Sequence, residues 1–301
     1  MQSKKYNEEN FNIEDVIKVY DITIIGAGPA GISAALYAKR AGANVLVLYY
    51  GESNLDKAEK IDNYYGFVNG IDGKTLYNNG IEQAKKLGID VKQEEVLHIE
   101  KVGELFKIKT EKEEYESKAT IISTGNKKLR PNIKGIIKLE GKGISYCAIC
   151  DGFFYRNKNV VVIGNGKFAV SEANDLKNIV NNVKILTNGD KIEINTDFET
   201  INKKIKEIHG EDKVEYIEFE DGSKLEVDGI FIALGEAGGT DFAKKMGIML
   251  NKDNIIVDEN MQTNIEGLYS CGNVTGGMLQ VCKAIYEGAK AGLAATKYVK
   301  K

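Results

Sequence analysis

The residues best suited to chemistry are two cysteines separated by two residues, in the segment Cys147-Ala148-Ile149-Cys150-Asp151. Two thiols at this spacing can close a small disulfide, and a helix N-terminus would stabilise one of them as a thiolate. The adjacent carboxylate of Asp151 could act as the general acid or base that moves protons when the dithiol forms. The segment therefore predicts a redox-active disulfide.

Two other interpretations of the cysteine pair stay open at this point, namely half of a zinc site and two ordinary core thiols. The remaining cysteines and histidines are distant in sequence and lack metal-ligand spacing: Cys271, Cys282, His98 and His209. A zinc site is therefore disfavoured. Because Cys271 and Cys282 lie in an apolar strand and a helix, we expect both to be buried core thiols.

A glycine-rich turn near the N-terminus predicts a dinucleotide site. A strand, the turn, a helix and a second strand follow one another at residues 20–25, 26–31, 32–40 and 44–48. Free N–H groups and the dipole at the N-terminus of such a helix hold a pyrophosphate. In this interpretation Gly26 permits the tight turn, Gly28 lets the phosphate approach, and Gly31 lets the helix pack on the strand.

The same arrangement recurs later in the chain, with a strand at 159–163, a glycine turn at 164–169 and a helix at 170–180. Two such units predict an α/β fold with two dinucleotide-type domains. The other predicted elements are a hairpin at 103–117, strands at 120–125 and 229–235, a strand and turn at 265–273, and a helix at 281–299.

Composition excludes several classes of function. The net charge is -3 and there is no extended basic block, so nucleic acid is a poor candidate partner. The first twenty residues are polar and lack the apolar core of a secretory signal. No run of apolar residues is long enough to span a membrane. We therefore expect a soluble, cytoplasmic protein with no membrane partner.

The glycine turn at 26–31, the segment CAICDGFFY at 147–155 and the second glycine turn, in this order, resemble the low-molecular-weight thioredoxin reductases. The resemblance runs from about Tyr20 to the C-terminus. It implies two Rossmann-like, three-layer ββα dinucleotide-binding domains, the second inserted into the first. The FAD-binding domain would comprise residues 1–124 and 240–301, and the CxxC-containing domain residues 125–239. A homodimer that reduces thioredoxin is also implied.

The resemblance further assigns roles to individual residues. Cys150 would face the flavin and accept its electrons, Cys147 would attack the disulfide of thioredoxin, and Asp151 would be the acid/base. Implied FAD contacts are Gly26, Gly28, Pro29, Ala30, Gly31, Asn63, Thr124, Gly125, Gly272, Asn273 and Gln280. Asn273 departs from the family's late Gly-Asp motif because it is neutral, although an amide still bonds a ribityl hydroxyl.

The sequence departs more strongly where the family binds the 2′-phosphate of NADPH through a His-Arg-Arg and a further Arg. In the corresponding segment, 186–193, Lys191 is the only cation, and Asp190 and Glu193 would repel a phosphate. Lys167 and Phe168 also place a bulky pair in the second glycine turn. An NADH site would need an acid at the end of the preceding strand, and that end has none.

This departure is similar to that of the ferredoxin-dependent flavin thioredoxin reductases, which keep CAxCD and lack the NADPH determinants. Acidic ferredoxins need a cationic docking surface. The segment between Gly125 and Cys150 has Glu140 as its one acid and six cations: Lys127, Lys128, Arg130, Lys134, Lys138 and Lys142. Such a segment could equally be an ordinary solvated linker.

We therefore predict that reduced ferredoxin supplies electrons through FAD to the dithiol, which reduces thioredoxin. One alternative is a conventional NAD(P)H-dependent thioredoxin reductase. A second is a flavin-bound redox sensor without turnover. Asp151 beside the cysteine pair argues for turnover, because a sensor does not require a proton donor there.

Overall fold

The computed structural model describes residues 18–51, 53–125, 131–192, 194–235 and 238–301, apart from the side chains of Lys57 and Cys150. The α-helices are α1 Pro29–Arg40, α2 Gly73–Lys86, α3 Ile136–Leu139, α4 Ala148–Asp151, α5 Lys167–Leu176, α6 Gly239–Met246 and α7 Val281–Val299. Short 3-10 helices lie at Asn54–Lys57, Gly152–Tyr155 and Gly272–Thr275. Within these ranges, no helix combines the length and apolar character needed to cross a membrane.

The strands up to the cysteine pair are β1 Val19–Ile25, β2 Val45–Tyr49, β3 Asp90–Gln93, β4 Val96–Val102, β5 Leu105–Thr110, β6 Glu114–Ile122 and β7 Ile144–Ser145. Those after it are β8 Asn159–Ile163, β9 Asn182–Leu186, β10 Thr200–Ile201, β11 Ile205–His209, β12 Tyr216–Phe219, β13 Lys224–Glu226, β14 Gly229–Ile232, β15 Leu250–Asn251, β16 Asn254–Ile255 and β17 Leu268–Ser270.

The first unit is built on a seven-stranded sheet of described residues. Strand β6 lies at its centre and has two different neighbours on one side. Its first half pairs antiparallel with β5, and Thr120–Ile122 pair parallel with β17. The result is a parallel sheet in the order β3-β2-β1-β6-β17 that is continued by an antiparallel β4-β5 hairpin. A strand from the C-terminal part of the chain thus completes a sheet that the N-terminal part begins.

Helices α1 and α7 pack together on one face of this sheet, and glycines allow their close approach. A Cβ atom on Gly288 would lie 2.1 Å from the carbonyl oxygen of Ala30, and one on Gly292 would lie 2.3 Å from that of Ala34. These distances are far below van der Waals contact, so side chains at either position would force the helices apart. The packing fixes α1, and with it the first glycine turn.

The second unit repeats the plan with a five-stranded parallel sheet, in the order β10-β9-β8-β14-β7. A three-stranded antiparallel sheet, β11-β12-β13, lies beside it. Apolar residues of β8, β14 and α5 form a buried cluster between sheet and helix. The predicted fold class, two Rossmann-like dinucleotide-binding domains, is confirmed.

Some predicted bounds were wrong. Helix α1 begins at Pro29 because proline lacks the N–H that would be unpaired there and its φ suits a first helical residue. Helix α5 begins directly after Gly166 and ends at Leu176, since the Asn181 N–H bonds the Lys158 carbonyl and turns the chain toward β9. Residues 114–122 form one strand, where the pattern predicts the end of a hairpin and a separate strand.

Candidate active site

The first glycine turn connects β1 to α1 and lies against Ser123. Gly26 has φ +109°, and a Cβ atom there would lie 2.4 Å from the Ser123 carbonyl oxygen. A Cβ atom on Gly31 would lie 1.8 Å from the Gly26 carbonyl oxygen. Gly28 is different, because no described atom lies within 4 Å of its Cβ position. The turn is therefore closed toward the protein and open at Gly28.

The opening at Gly28 leads into a cavity of about 360 Å³ at the carboxyl ends of the parallel strands. Nine of the predicted FAD-contact residues line it: Gly26, Gly28, Pro29, Ala30, Thr124, Gly125, Gly272, Asn273 and Gln280. The other two are not on the wall. Gly31 supports the turn from behind, and the amide nitrogen of Asn63 donates to Gln280 Oε1 at 3.0 Å.

Other cavity residues were not predicted from the sequence. Glu94 and Glu95 follow β3 directly and are buried, and Tyr49, Tyr50 and Tyr77 add aromatic surface. The Glu94 carboxylate accepts hydrogen bonds from Thr110 and Tyr115, both at 2.9 Å. Two consecutive acids after a short polar strand were the available signal, but β3 itself was not predicted.

The residues present fit a dinucleotide cofactor. The Thr124 hydroxyl oxygen is buried in the cavity region and has no hydrogen-bond partner among the described residues. A buried polar atom without a partner is costly, so a ligand that bonds it is favoured. The N-terminus of α1 faces the same space and can hold a pyrophosphate through its free N–H groups. Gly272, at φ +85°, turns the chain beside Ala30.

The dithiol segment, residues 145–151, lies at the edge of the second unit's sheet. Cys147 is disulfide-bonded and 2% exposed, between β7 and α4. The side chain of Cys150 lies outside the described part of the structure, and its backbone belongs to α4. Cys271 and Cys282 are free thiols. Burial raises the pKa of the Cys271 thiol, which keeps it protonated and unreactive.

Cys282 corrects a prediction, because it is exposed on α7 and is not a core thiol. The buried positions of α7 include Ala284, Gly288, Ala291 and Ala295, which recur at helical spacing. Cys282 lies outside this stripe. Its helical environment was correctly predicted, but not the helix face on which it lies.

Ser145, which the sequence did not single out, connects the cysteine segment to Asp151. Its hydroxyl accepts from the Cys147 N–H at 3.0 Å and donates to Asp151 Oδ2 at 2.7 Å. The Asp151 carboxylate and the backbone N–H of Cys147 therefore share the Ser145 hydroxyl as hydrogen-bond partner. Burial raises the pKa of the Tyr155 phenol, and the nearby negative charge of Asp151 raises it further. An acid/base role for Asp151 is compatible with this geometry.

Replacing Ser145 with alanine should destabilise the protein by about 1–3 kcal/mol, because the buried Cys147 N–H loses its acceptor. Chemical denaturation measures this loss. Ser223→Ala is the matched control, since its hydroxyl bonds the exposed carboxylate of Asp221, which water can solvate. Equal losses in the two variants would contradict the structural role of Ser145.

The dithiol segment is also held from the other side by a buried ion pair that the sequence did not reveal. The Ala148 N–H donates to Glu172 Oε2 at 2.7 Å. The other carboxylate oxygen of Glu172 pairs with Lys245 Nζ, and the two side chains are 1% and 2% exposed. Glu172 lies on α5 of the second unit and Lys245 on α6, which packs on the first unit.

The second glycine turn is tightly packed, and the side chains of the first two helix residues after it, Lys167 and Phe168, contact other parts of the protein. A Cβ atom on Gly164 would lie 2.1 Å from the Ala233 carbonyl oxygen. Phe168 is buried in the sheet–helix cluster, so the prediction that its bulk occupies the turn was wrong. Lys167 points toward the first unit, where Nζ lies 3.5 Å from a Glu111 carboxylate oxygen and 5.5 Å from the centre of the Tyr50 ring.

The segment after β9 has little cationic character. Within the described residues 187–192, Lys191 is the only cation, and its neighbour Asp190 is exposed. The Asn165 side chain donates to the Lys191 carbonyl at 3.3 Å and so ties this segment to the glycine turn. Glu193, the second predicted acid, lies outside the described residues.

The predicted cationic surface is only partly described, since Lys127, Lys128 and Arg130 lie outside the described residues. Lys134 pairs with Glu207 at 3.1 Å, and Lys138 donates to the Gly210 carbonyl at 2.9 Å. Lys142 is exposed. Much of the charge predicted from residues 131–150 is therefore satisfied within the second unit, and this stretch alone gives weak support for a docking surface.

Comparison with known proteins gives the family. Residues 20–288 match the pyridine nucleotide-disulphide oxidoreductase family. Over 302 residues the chain is 33% identical to the thioredoxin reductase of Listeria innocua, with 94% of both proteins covered. The chain belongs to the thioredoxin reductases of this family. Thioredoxin reductases are flavoproteins with FAD, so the prediction of this cofactor is confirmed.

Two solved thioredoxin reductases are similar over almost the whole chain. The atypical enzyme TRi from Desulfovibrio vulgaris Hildenborough is 38% identical with a TM-score of 0.89, covering 93% of this chain and 98% of that one. A ferredoxin-flavin thioredoxin reductase from Clostridium acetobutylicum is 35% identical with a TM-score of 0.71, covering 93% and 97%. The cavity and the dithiol segment thus belong to a thioredoxin reductase architecture.

Proposed function

We propose that this thioredoxin reductase takes electrons from reduced ferredoxin and delivers them to the disulfide of thioredoxin. Bound FAD supplies the carrier that links a one-electron donor to a two-electron disulfide. The cavity at the first glycine turn holds it, through the N-terminus of α1 and the cavity-lining residues described above. Cys147, Cys150 and Asp151 are the proposed catalytic residues.

The electron and proton balance of the proposed reaction is simple. Two reduced ferredoxins each give up one electron, and two protons come from solvent, so the Cys147–Cys150 disulfide becomes a dithiol. The Cys147 thiolate attacks the thioredoxin disulfide and forms a mixed disulfide, and one thioredoxin sulfur leaves as a thiolate. Cys150 then attacks Cys147, the enzyme disulfide forms again, and thioredoxin leaves fully reduced. Asp151 moves the protons.

The observation that supports ferredoxin over a nicotinamide donor is the scarcity of available cationic side chains around the second glycine turn. Recognition of a 2′-phosphate needs arginine or lysine side chains around it. Described residues 187–192 offer Lys191 against Asp190, and Lys167 is already paired with Glu111 of the first unit. The similarity to a ferredoxin-flavin thioredoxin reductase adds support.

The electron donor can be identified from the flavin absorbance. Under anaerobic conditions, excess NADPH or NADH should leave the flavin of the purified protein oxidised, whereas reduced ferredoxin should bleach it within seconds. An NADPH-dependent thioredoxin reductase treated in parallel shows that the nucleotide is active. Rapid bleaching by NADPH or NADH would instead establish the conventional NAD(P)H-dependent enzyme.

The homodimer, the cytoplasmic location and the domain division at residues 124–125 and 239–240 stay predictions. The position of β17 in the first unit's sheet supports the domain division. Exposed apolar side chains on α1 and α7 support a dimer, since such residues are common at subunit interfaces: Tyr37, Tyr286 and Leu293.

A further inference from the structure

We propose that Glu172 and Lys245 are positioning residues that hold the dithiol segment in the buried arrangement in which it exchanges electrons with the cofactor. We call this ion pair the latch. The proposal rests on the proposed function, because it concerns when the dithiol of a thioredoxin reductase can meet its protein substrate. It assigns a role to residues outside the cavity and outside the cysteine motif.

The latch connects three elements of the fold. Glu172 of α5 accepts a hydrogen bond from the N–H of Ala148 at 2.7 Å. Ala148 directly follows Cys147 in the chain. The same carboxylate pairs with Lys245 of α6. Helix α6 belongs to the first unit through the burial of Phe242 and Ala243 in that unit's core. The latch therefore ties the start of α4 to the unit that contains the cofactor cavity.

A second contact from α6 reaches the residue on the other side of Cys147. Lys244 Nζ lies 4.8 Å from the centre of the Tyr146 ring, within the range of a cation–π interaction. Consecutive lysines of one helix thus hold both sides of the cysteine, one through Tyr146 and one through Glu172. Lys245 also lies 5.4 Å from the centre of the Phe168 ring, which leaves its charge little access to water.

The burial of Cys147 shows why such a contact must open. At 2% exposure its sulfur cannot reach the disulfide of another protein. In the described arrangement Cys147 therefore cannot attack thioredoxin. Separating α4 from α6 requires that Glu172 lose its contact with either Lys245 or the Ala148 N–H. The latch therefore sets how readily Cys147 becomes accessible.

The latch can be removed without leaving an unpaired buried charge. A single loss of Lys245 would leave the Glu172 carboxylate buried and uncompensated, which destabilises proteins for unrelated reasons. In the double variant Glu172→Gln/Lys245→Met both charges are absent and the sizes are similar. The glutamine still offers an oxygen to the Ala148 N–H. Lys245→Arg keeps the charge and should behave as the wild type does.

The test measures alkylation of Cys147 in holoenzyme reduced by a phosphine, with iodoacetamide and peptide mass spectrometry. The double variant should be alkylated at Cys147 at least about tenfold faster than the wild type, since local opening exposes the thiol. Cys282 is exposed in every variant and is the internal reference. Lys206→Met removes an exposed ion pair with Glu218 of the second unit and should leave the Cys147 rate unchanged.

A second measurement separates positioning from general stability. Anaerobic re-oxidation of the flavin by the enzyme disulfide, after one equivalent of dithionite has reduced the flavin, reports electron exchange between the two groups without requiring access to Cys147 from solvent. It should slow about tenfold in the double variant, and Lys245→Arg should keep the wild-type rate. Equal alkylation of Cys147 in wild type and double variant overturns the latch. If the double variant does not retain FAD, Glu172→Gln/Lys245→Gln, in which both charges are also absent, decides by the same two rates. Neither rate uses ferredoxin or thioredoxin, so a failure of the proposed donor leaves this test intact.

Discussion

Cys147→Ser should lower thioredoxin reduction by at least about 10³-fold, the scale of loss when a covalent nucleophile is removed. A serine hydroxyl cannot form the mixed disulfide with thioredoxin, nor close a disulfide with Cys150. The flavin should stay bound, because Cys147 does not line the cofactor cavity. Activity is measured with an insulin-reduction assay, and bound FAD by the flavin absorbance.

Cys282→Ser is the matched control, since Cys282 is a free, exposed thiol that does not line the cavity. It should retain wild-type activity. Reduced ferredoxin should still bleach the flavin of Cys147→Ser, because the electrons reach the cofactor before the disulfide. Substantial thioredoxin reduction by Cys147→Ser would refute the assigned nucleophile.

Gly28→Ala should weaken FAD binding by about 10- to 100-fold and leave the folding of the apoprotein unaltered. Gly28 has φ -69°, which alanine adopts freely, and no described atom lies within 4 Å of the added methyl group. Because the described residues leave this space open, we expect the methyl group to obstruct a ligand in the cavity. In a dinucleotide site that ligand is the pyrophosphate, which approaches this backbone closely.

FAD titration of the apoprotein, followed by fluorescence quenching, measures the loss of affinity. Gly80→Ala is the matched control, because its Cβ would make only an ordinary contact, 3.6 Å from Ile32 Cγ2, inside helix α2. It should bind FAD as the wild type does and unfold at slightly higher denaturant concentration. If Gly28→Ala binds FAD normally, the pyrophosphate does not lie against the first glycine turn.

Local pattern was enough to predict much of the fold. Strand, glycine turn and helix are adjacent in sequence, so β1, β8 and their turns were recognisable, and α7 was predicted with its observed bounds. Strand β6 was split in the prediction because its two halves pair with different neighbours, which no local pattern encodes. The cavity residues Glu94 and Glu95 directly follow β3, which is short and polar and therefore shows no strand pattern in the sequence. Without that strand, their position at the cavity could not be predicted.

Contacts between distant residues explain the rest. Glu172 and Lys245 are separated by 73 positions, and each by itself is typical of a solvated helix face. Only the folded chain brings them together in a dry interface. Ser145 is equally inconspicuous in sequence, although its hydroxyl joins Cys147 to Asp151. The cysteine motif was therefore visible, while the residues that orient it were not.

The position of β17 and α7 has a consequence for how the protein is made. The cavity takes Gly26 and Gly28 from the start of the chain and Gly272, Asn273 and Gln280 from near its end. During translation the second unit leaves the ribosome whole while the first still lacks a strand and a helix. The cavity is therefore complete only after the segment that carries Gly272, Asn273 and Gln280 has been synthesised. Flavin binding thus has to wait for synthesis of this second group of cavity residues.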